Sequence, residues 1–277
     1  MESGWYLMML DQEEINQYLR ESLGTCSLLI PRLYLFDCLD STNTWLKQRG
    51  ACGDVCIAEQ QTKGRGRRGK RWLSPNAENI YLSLKWCFKQ TPVHLSLLSL
   101  TVGLSIVKAL QKIGLSGHGV KWPNDIYWQG LKMGGILIES VSSSVEASHP
   151  SGLSLIIGIG LNINMSIAEG EQIDQPWISL SEVLEKRINR NQLLALLLEH
   201  LINDLQCFNY LDLEQFQKKW QQWDVLYGQQ VRVLQQHKEL SGIVRGLDKQ
   251  GRIVIELMSG QLTHYSSAEI RLKKGNI

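Results

Sequence analysis

The sequence predicts an α+β fold, in which a mixed but mainly antiparallel sheet packs with helices and a small C-terminal β-barrel follows. Segments with the alternating polarity of strands dominate residues 31–164, and segments with helical spacing lie within and after them. From Val225 onward, short alternating strands are separated by glycine-containing turns such as residues 248–251. About 50 residues of this kind are typical of a small barrel.

The patterns divide the chain into an N-terminal helical segment (1–30), a main domain (31–224) and the barrel (225–277). The predicted helices cover 11–23, 94–113, 191–208 and 211–222. The predicted strands cover 31–37, 54–59, 79–88, 118–122, 125–128, 132–139 and 153–164 in the main domain, and 230–235, 241–247, 252–257, 262–266 and 270–273 in the barrel. A polar segment at 40–43 is predicted to cap a further helix, and residues 141–151 have the composition of a turn.

Composition excludes several classes of protein. With 277 residues, 43% of them hydrophobic, the chain can bury one large core or one large and one small core. A net charge of +2 gives the whole molecule no strong attraction for nucleic acid or anionic membranes. No segment was found to approach the roughly 18 apolar residues of a membrane helix, and no basic region precedes the apolar N-terminal run. We therefore expect a soluble, cytoplasmic protein.

Cysteine and histidine give no sign of a metal site. The six cysteines include no CxxC pair, and most lie in apolar runs, so buried free thiols are expected. The six histidines are scattered and show no zinc-binding spacing.

The most basic segment is QTKGRGRRGKRW at residues 61–72. Gly64, Gly66 and Gly69 match a dinucleotide-binding GxGxxG pattern, but the helix that should follow is missing. Two hypotheses remain open from the loop alone. In the first, it is a solvated basic loop or a nucleic-acid patch. In the second, it is a flexible flap that closes over a polyphosphate and a carboxylate. Its glycines would let the backbone approach the ligand closely, and its arginines would donate hydrogen bonds to phosphate oxygens.

Two lysine-containing segments follow. In KWPND (121–125), Pro123 forces a turn that brings Lys121 close to Asp125; the alternative is a plain hairpin with a polar tip. A carboxylate there could hold Mg²⁺ directly or through water. In the next segment, alternation places Lys132 and Gly134 on one face, which leaves a hollow beside the amine. The alternative is a charged residue at a strand entrance, followed by a bulge.

The strand at 153–164 has an apolar face and a face that carries Gly158, Gly160, Asn162 and Asn164. A glycine inside a strand costs roughly 0.5–1 kcal/mol relative to alanine. Glycines are tolerated there when a ligand or another backbone needs the space. This face is therefore predicted to form the floor of a pocket.

Taken together, these segments resemble the biotin–protein ligases, also called biotin–[acetyl-CoA-carboxylase] ligases. The segments that match are DSTNTWL (40–46), AEQQTKGRGRRGKRWLSP (58–75), NIYLSL (79–84), KWPNDI (121–126), KMGGILIE (132–139) and GIGLNIN (158–164). The tail from about residue 225 resembles that family's SH3-like C-terminal domain. The resemblance implies a class II synthetase-like main domain.

The resemblance also implies a role for particular residues. The residues that match the biotin-binding positions are Ser41, Thr42, Asn43, Gln61, Arg65, Gly66, Arg67, Lys132 and Gly134. The residues that match the ATP-binding positions are Gly64, Arg67, Trp72, Lys121, Asn124, Asp125, Lys132 and Asn162, with Asp125 on the Mg²⁺ side. Lys132, Arg67 and Arg65 are the expected catalytic residues.

The implied activity uses ATP and Mg²⁺ to form biotinyl-5'-AMP and then transfers biotin to a lysine of the biotin carboxyl carrier protein of acetyl-CoA carboxylase. A lipoate or octanoate ligase is the nearest alternative, since lipoate ligases share the fold class but do not usually carry both GRGRRG and KWPND. A biotin-responsive transcription regulator is another. Residues 1–30 are too short for the winged helix-turn-helix of the repressor-type members, so specific DNA binding is not expected. A membrane partner is not expected either.

Overall fold

The structure is a computed structural model that describes residues 9–23, 30–141, 152–235 and 238–272. The large sheet contains β1 (Leu33–Leu39), β2 (Val55–Gln61), β3 (Ile80–Phe88), β4 (His118–Lys121), β5 (Asp125–Trp128), β6 (Leu131–Ser140) and β7 (Leu153–Leu161). The small sheet contains β8 (Gln230–Gln235), β9 (Lys238–Leu247), β10 (Ile253–Leu257), β11 (Leu262–Tyr265) and β12 (Glu269–Leu272). The helices are α1 (Gln12–Leu23), α2 (Thr42–Arg49), α3 (Leu98–Lys112), α4 (Leu180–Leu184), α5 (Arg190–Gln206) and α6 (Leu213–Trp223).

The large sheet has the strand order β1-β2-β3-β7-β6-β5-β4. Strands β1 and β2 run parallel, whereas the other neighbouring strands described are antiparallel. The small sheet has the order β11-β10-β9-β8-β12 and is antiparallel throughout its described pairs. The predicted α+β class is therefore confirmed, and the strand bounds lie within a few residues of the predicted ones. Of the predicted turn at 141–151, only Val141 is described.

Helices cover both faces of the large sheet. On one face α3 packs against the sheet and against α5, and α1 packs on α5 through the fully buried Ile15 and Leu19. On the other face α2 packs by Leu46 against Cys56 and Ile156 of the sheet. The residues at the N-terminal end of α2 lie above β3 and β7, where Asn43 contacts the position of Gly158.

Helix α3 corrects one expectation from the sequence. Residues Leu95–Lys112 have a mean hydropathy of 1.3 over 18 residues, so this segment is long and apolar enough to cross a membrane. However, 67% of the segment is buried inside the protein. Its apolar character is therefore explained by its position in the core between the sheet and α5.

The cysteines also differ from the expectation of buried free thiols. Cys52 and Cys87 form a disulfide in the structure. Cys38 and Cys207 are exposed, and only Cys56 among the described free cysteines is buried. The apolar runs misled the interpretation because Cys38 lies near the end of an edge strand and Cys207 follows the last turn of α5.

A buried ion pair ties the N-terminal segment to the main domain. The Arg190 guanidinium at the start of α5 is paired with the Glu59 carboxylate of β2, and the two side chains are each 2% exposed. The Leu10 amide also donates to Glu59, at 2.6 Å. Burying a charge is costly unless it is paired and hydrogen-bonded, and this pair meets both conditions.

The small sheet adjoins the hairpin formed by β4 and β5. The Val225 amide donates to the Val120 carbonyl at 3.2 Å, and the buried Trp122 indole donates to the Gly251 carbonyl at 3.1 Å. Gly251 has a φ of +73°, and a Cβ there would lie 2.5 Å from Leu97 of the main domain. The positive φ therefore favours glycine at this junction, and a larger residue would also have to displace the end of the Leu97 side chain.

Asp224 lies buried at the same junction, where it accepts hydrogen bonds from the Trp220 indole at 3.0 Å and the Leu226 amide at 2.9 Å. Burial raises its pKa from 3.8 to about 6, although both hydrogen bonds oppose the shift. A raised carboxyl pKa means that the folded state binds the proton more tightly than the unfolded state. The contribution of Asp224 to the free energy of unfolding is thus fully present below pH 3.8. It is lost as the pH rises through about 6.

We therefore predict that the melting temperature of the wild type, measured relative to an Asp224→Asn variant, falls between pH 4 and pH 7. The corresponding change in unfolding free energy should reach at most about 3 kcal/mol, because each pKa unit contributes about 1.4 kcal/mol. Thermal denaturation of both proteins across this range measures the difference. A difference that stays constant with pH would contradict the prediction.

Candidate active site

A cavity of about 950 Å³ lies on the α2 side of the large sheet. Most of the residues singled out in the sequence line it, although they come from segments far apart in the chain. These lining residues are Ser41, Thr42, Asn43, Gln61, Arg65, Gly66, Arg67, Trp72, Lys121, Asn124, Asp125 and Lys132.

The polar corner at the start of α2 is built into the cavity wall instead of capping the helix. Ser41 is the residue before the first turn, but no side-chain capping hydrogen bond forms there. The amide and hydroxyl of Thr42 donate to the Gln61 carboxamide oxygen at 2.9 and 3.2 Å. The buried Ser83 hydroxyl lies 2.7 Å from the Thr42 hydroxyl and 2.6 Å from the Asn43 carboxamide oxygen. The corner is thus a connected polar network.

The basic loop forms a short hairpin. Arg65 and Arg71 form an antiparallel bridge, and the Gly66 amide donates to the Lys70 carbonyl at 2.7 Å. Gly64 lies at the base of this hairpin and does not line the cavity. A Cβ on Gly64 would lie 2.5 Å from the Trp72 carbonyl oxygen, so glycine permits the two sides of the hairpin to approach.

The arginines of the loop contact three different elements. Arg65 pairs with Glu139 of β6 at 3.0 Å. Arg67 donates to the Asn124 carboxamide oxygen at 2.7 Å, in the turn between β4 and β5. Arg68 donates to the Ser267 hydroxyl at 2.9 Å, just before β12. The loop therefore spans the cavity between the two sheets.

Two lysines and one carboxylate form the side of the cavity opposite the α2 corner. Lys121 and Asp125 are paired across the β4–β5 hairpin, as predicted from the KWPND segment. The Lys132 ammonium lies 3.0 Å from the Asp125 carboxylate and 5.5 Å from the centre of a Trp72 ring. Burial lowers the pKa of Lys121, partly offset by Asp125, and burial together with Arg68 lowers the pKa of Arg67. Both pKa shifts arise mainly from burial, and neighbouring cations, Lys132 for Lys121 and Arg68 for Arg67, add to them.

A bulge in β6 corrects the predicted neighbour of Lys132. Ile126 of β5 pairs with Gly134, but the next residue along β5 pairs with Lys132, so Met133 is an extra residue. The bulge turns Gly134 toward the core, where a Cβ would collide with Leu161. Gly135 faces the cavity instead, with Asp125, Trp72 and the Lys132 side chain within 4 Å of its Cβ position. The alternative interpretation, a charged residue at a strand entrance followed by a bulge, is therefore the observed structure.

The glycine face of β7 forms the cavity floor, as predicted, but protein side chains occupy the space above it. A Cβ on Gly158 would collide with the Asn43 carboxamide, and one on Gly160 would lie 2.6 Å from the Trp72 ring. The glycines therefore allow Asn43 and Trp72 to lie flat against the sheet. Asn164 bonds to the backbone of Ile188 and does not belong to the floor.

Asn162 opens into a second cavity of about 110 Å³, which shares Trp72 and Lys132 with the first. The segment 172–177 closes this second cavity and was not found from the sequence. It is held by the edge of β6, since the Lys132 amide donates to the Pro176 carbonyl at 3.0 Å. No motif in that segment signals such a role, because its contacts are mostly backbone ones.

Sequence reasoning also missed the four residues from Ala268 to Arg271, which line the main cavity from the small sheet. It missed Ser83 and Glu139 as well, which contact residues of the cavity wall without lining the cavity. Glu139 ends the KMGGILIE segment, so its position was visible but its partners were not. In the part of the chain that the structure describes, no group of three or more histidine, cysteine or acidic side chains could hold a metal ion.

Comparisons with known proteins agree with this architecture. Residues 35–162 match the biotin/lipoate A/B protein ligase family, and residues 226–273 match the biotin protein ligase C-terminal domain. The chain is 37% identical over 238 residues to the bifunctional ligase/repressor BirA of Escherichia coli, covering 85% of this chain and 72% of that protein. It is 31% identical over 228 residues to the biotin–[acetyl-CoA-carboxylase] ligase of Mycobacterium tuberculosis, covering 78% of this chain and 80% of that protein.

The solved structures include the biotin protein ligase of Aquifex aeolicus in complex with biotin and ATP. It is 29% identical in sequence, with a TM-score of 0.73 over 89% of this chain and 100% of that one. The biotin protein ligase of Leishmania major in complex with biotinyl-5-AMP is 22% identical, with a TM-score of 0.60 over 86% of this chain and 100% of that one. At this low sequence identity, the similarity supports the fold alone. The resemblance seen in the motifs is confirmed, and the chain belongs to the biotin/lipoate protein ligase family, with the C-terminal domain of the biotin protein ligases.

Proposed function

We propose that this protein is an ATP-dependent biotin–protein ligase that makes biotinyl-5'-AMP and transfers biotin to a lysine of a biotin carboxyl carrier protein. One observation carries the proposal: Arg65, Arg67, Lys121 and Lys132 converge on one cavity. Such a cavity suits two anionic substrates that must meet. We retain the division at residues 30 and 224, and a cytoplasmic location, as predictions from the sequence.

The reaction has two steps. A biotin carboxylate oxygen attacks the α-phosphorus of ATP, the bond to the bridging oxygen breaks, and pyrophosphate leaves. The neutral amine of the acceptor lysine then attacks the carbonyl carbon of the mixed anhydride. An amide forms, AMP leaves, and the amine loses its proton.

Positioning and charge stabilisation are sufficient for both steps, so no protein nucleophile is needed. Lys132 is held by Asp125 at 3.0 Å, and Arg67 is held by Asn124 at 2.7 Å. Each cation is therefore oriented before the substrate arrives. Donors that are oriented in advance stabilise developing negative charge without a cost of reorganisation.

The same cations assist the second step. A lysine amine with a pKa of about 10.4 is neutral only about 0.04% of the time at pH 7. Nearby positive charges favour the neutral amine, because a like charge disfavours the protonated form. The acceptor lysine would be deprotonated more readily at this cavity than in water.

We assign the biotin end to the α2 corner and the nucleotide end to the lysine side. Ser41, Thr42, Asn43 and Gln61 supply donors and acceptors at the first end, beside the glycine floor. Trp72, Lys121, Asn124, Asp125 and Asn162 lie at the second end. Gly64 and Gly134 make none of the proposed ligand contacts, because neither faces the cavity.

Magnesium fits this site only as a partner of the nucleotide. Mg²⁺ is commonly bound by one or two carboxylates together with substrate phosphates and water. Asp125 offers one carboxylate, and its other neighbours are Lys121 and Lys132. The ion would neutralise phosphate charge, while the residues described above orient the substrates.

Incubation with ATP, Mg²⁺, biotin and a biotin-carrier domain, read out by mass, tests the proposal. We expect the carrier to gain one biotinyl group that depends on ATP. ATP–pyrophosphate exchange with biotin and lipoate in competition separates the nearest alternative. Exchange supported by lipoate or octanoate, and not by biotin, would replace the proposed activity with that of a lipoate or octanoate ligase.

Lys132→Ala should lower the rate of biotinyl-AMP synthesis by at least about 100-fold, because it removes a cation from the reacting groups. The fold should be retained, since Lys132 lies at a strand entrance and its backbone hydrogen bonds remain. ATP–pyrophosphate exchange measures the rate, and Lys249→Ala, at an exposed turn of the small sheet, is the matched control. Near-normal turnover of Lys132→Ala would refute the role.

Arg67→Gly removes the hydrogen bond to Asn124 at 2.7 Å and should loosen the loop over the adenylate. We expect biotinyl-AMP to escape and to label lysines on unrelated proteins. Biotin incorporated into serum albumin, compared with the carrier domain, measures the escape. Arg187→Gly, which removes an arginine in a part-exposed ion pair with Glu78, should not change it. Labelling of Arg67→Gly that stays confined to the carrier would count against this role.

A further inference from the structure

Glu139 joins two residues of the cavity wall without lining the cavity itself. One of its carboxylate oxygens, Oε2, accepts a hydrogen bond from the Asn43 carboxamide at 2.7 Å and another from the Arg65 guanidinium at 3.0 Å. Asn43 comes from α2, and Arg65 comes from the basic loop. A single acceptor atom therefore connects both sides of the proposed biotin end.

The contact with Glu139 fixes the orientation of the Asn43 side chain. A carboxylate only accepts hydrogen bonds, so the NH₂ group of Asn43 must face it. The carboxamide oxygen then faces Ser83, whose hydroxyl lies 2.6 Å away. Asn43 is 5% exposed and occupies the space that Gly158 leaves open, so it has little freedom to rotate.

The contact with Glu139 also attaches the basic loop to the sheet. The Arg65 guanidinium makes a second hydrogen bond, to the Thr44 hydroxyl at 3.3 Å, so the loop is held to both α2 and β6. The charged pair is the stronger contact, because hydrogen bonds between ionised groups are roughly twice as strong as neutral ones. Loss of the carboxylate would release Arg65 to solvent, where 45% of its side chain is already exposed.

The bulge in β6 places Glu139 where it can reach both partners. With Met133 as the extra residue, Gly135 and Leu137 line the cavity from the same side of the strand as Lys132. Glu139 follows next on that side by alternation. The strand therefore carries Lys132 in the cavity wall and Glu139 beyond the opposite end of that wall.

We propose that Glu139 is a positioning residue that sets the affinity for the carboxylic acid substrate by holding Asn43 and Arg65. The inference rests on the proposed function. Arg65, expected from the sequence to be catalytic as well as biotin-binding, is assigned here to binding, because its hydrogen bonds are to Glu139 and Thr44, beside the α2 corner. Removal of Glu139 should therefore change substrate binding and leave the chemical step almost intact. It should also leave the fold intact, because the side chains of the ion pair are 24% and 45% exposed and such pairs contribute little to stability.

Calorimetric titration of the full chain with biotin tests this inference. Glu139→Ala should raise the Kd for biotin about tenfold, and Glu139→Gln, which keeps an acceptor but loses the charge, about threefold. In both variants kcat at saturating biotin should stay within about twofold of wild type. Glu256→Ala, which removes an exposed carboxylate paired with Arg245 at 2.6 Å on the small sheet, is the matched control and should leave the Kd unchanged.

A double-mutant cycle keeps the test decisive if Glu139→Ala fails to fold. Glu139→Gln and Arg65→Gln should be non-additive in the Kd for biotin, because Glu139 acts partly through Arg65. Additive effects, an unchanged Kd in the Glu139 variants, or a fall in kcat alone would each overturn the inference while leaving the proposed function standing. Absence of biotin binding by the unmodified protein would overturn the proposed function, and this inference with it.

Discussion

Repulsion among the lysine and arginine side chains that line one cavity is the constraint on which the rest of the site depends. Arg65, Arg67, Lys121 and Lys132 all face the same space, and like charges this close destabilise the folded state unless each is compensated. The structure compensates them unequally. Arg65 and Lys132 form ion pairs with carboxylates. Among the described residues, Arg67 and Lys121 instead donate hydrogen bonds to neutral oxygens, on Asn124 and Tyr127, and the Asp125 charge favours both cations without forming an ion pair with either. The remaining positive charge is what an anionic substrate would neutralise.

The backbone holds these cations at fixed positions by means of a few local features. The hairpin that begins at Gly64 directs three arginines to three different elements. The bulge at Met133 places Lys132 and Gly135 on one side of β6. The small sheet contributes to the remaining side through residues 268–271, and Arg68 contacts Ser267 beside them, so both sheets supply residues to the cavity. Each feature acts on the same cavity although the segments are distant in sequence.

The fold and most of the site could be predicted from the sequence because alternation and glycine placement are local signals. The face of β7 that carries Gly158 and Gly160 is one example, and the pairing of Lys121 with Asp125 is another. The errors arise where a non-local contact decides the result. A one-residue bulge exchanges the roles of Gly134 and Gly135, and it depends on how β5 pairs with β6, which periodicity cannot reveal. The space above the glycine floor is filled by Asn43 and Trp72, and only the tertiary structure could identify these occupants.

A crystal structure of the protein with biotinyl-5'-AMP bound is the most direct test of the central claim, that these cations surround one anionic intermediate. The account predicts the phosphate within hydrogen-bond distance of both Arg67 and Lys132, with the biotin ring beside Asn43 and the floor of β7. An adenylate bound elsewhere on the molecule, or a phosphate that contacts neither cation, would contradict it.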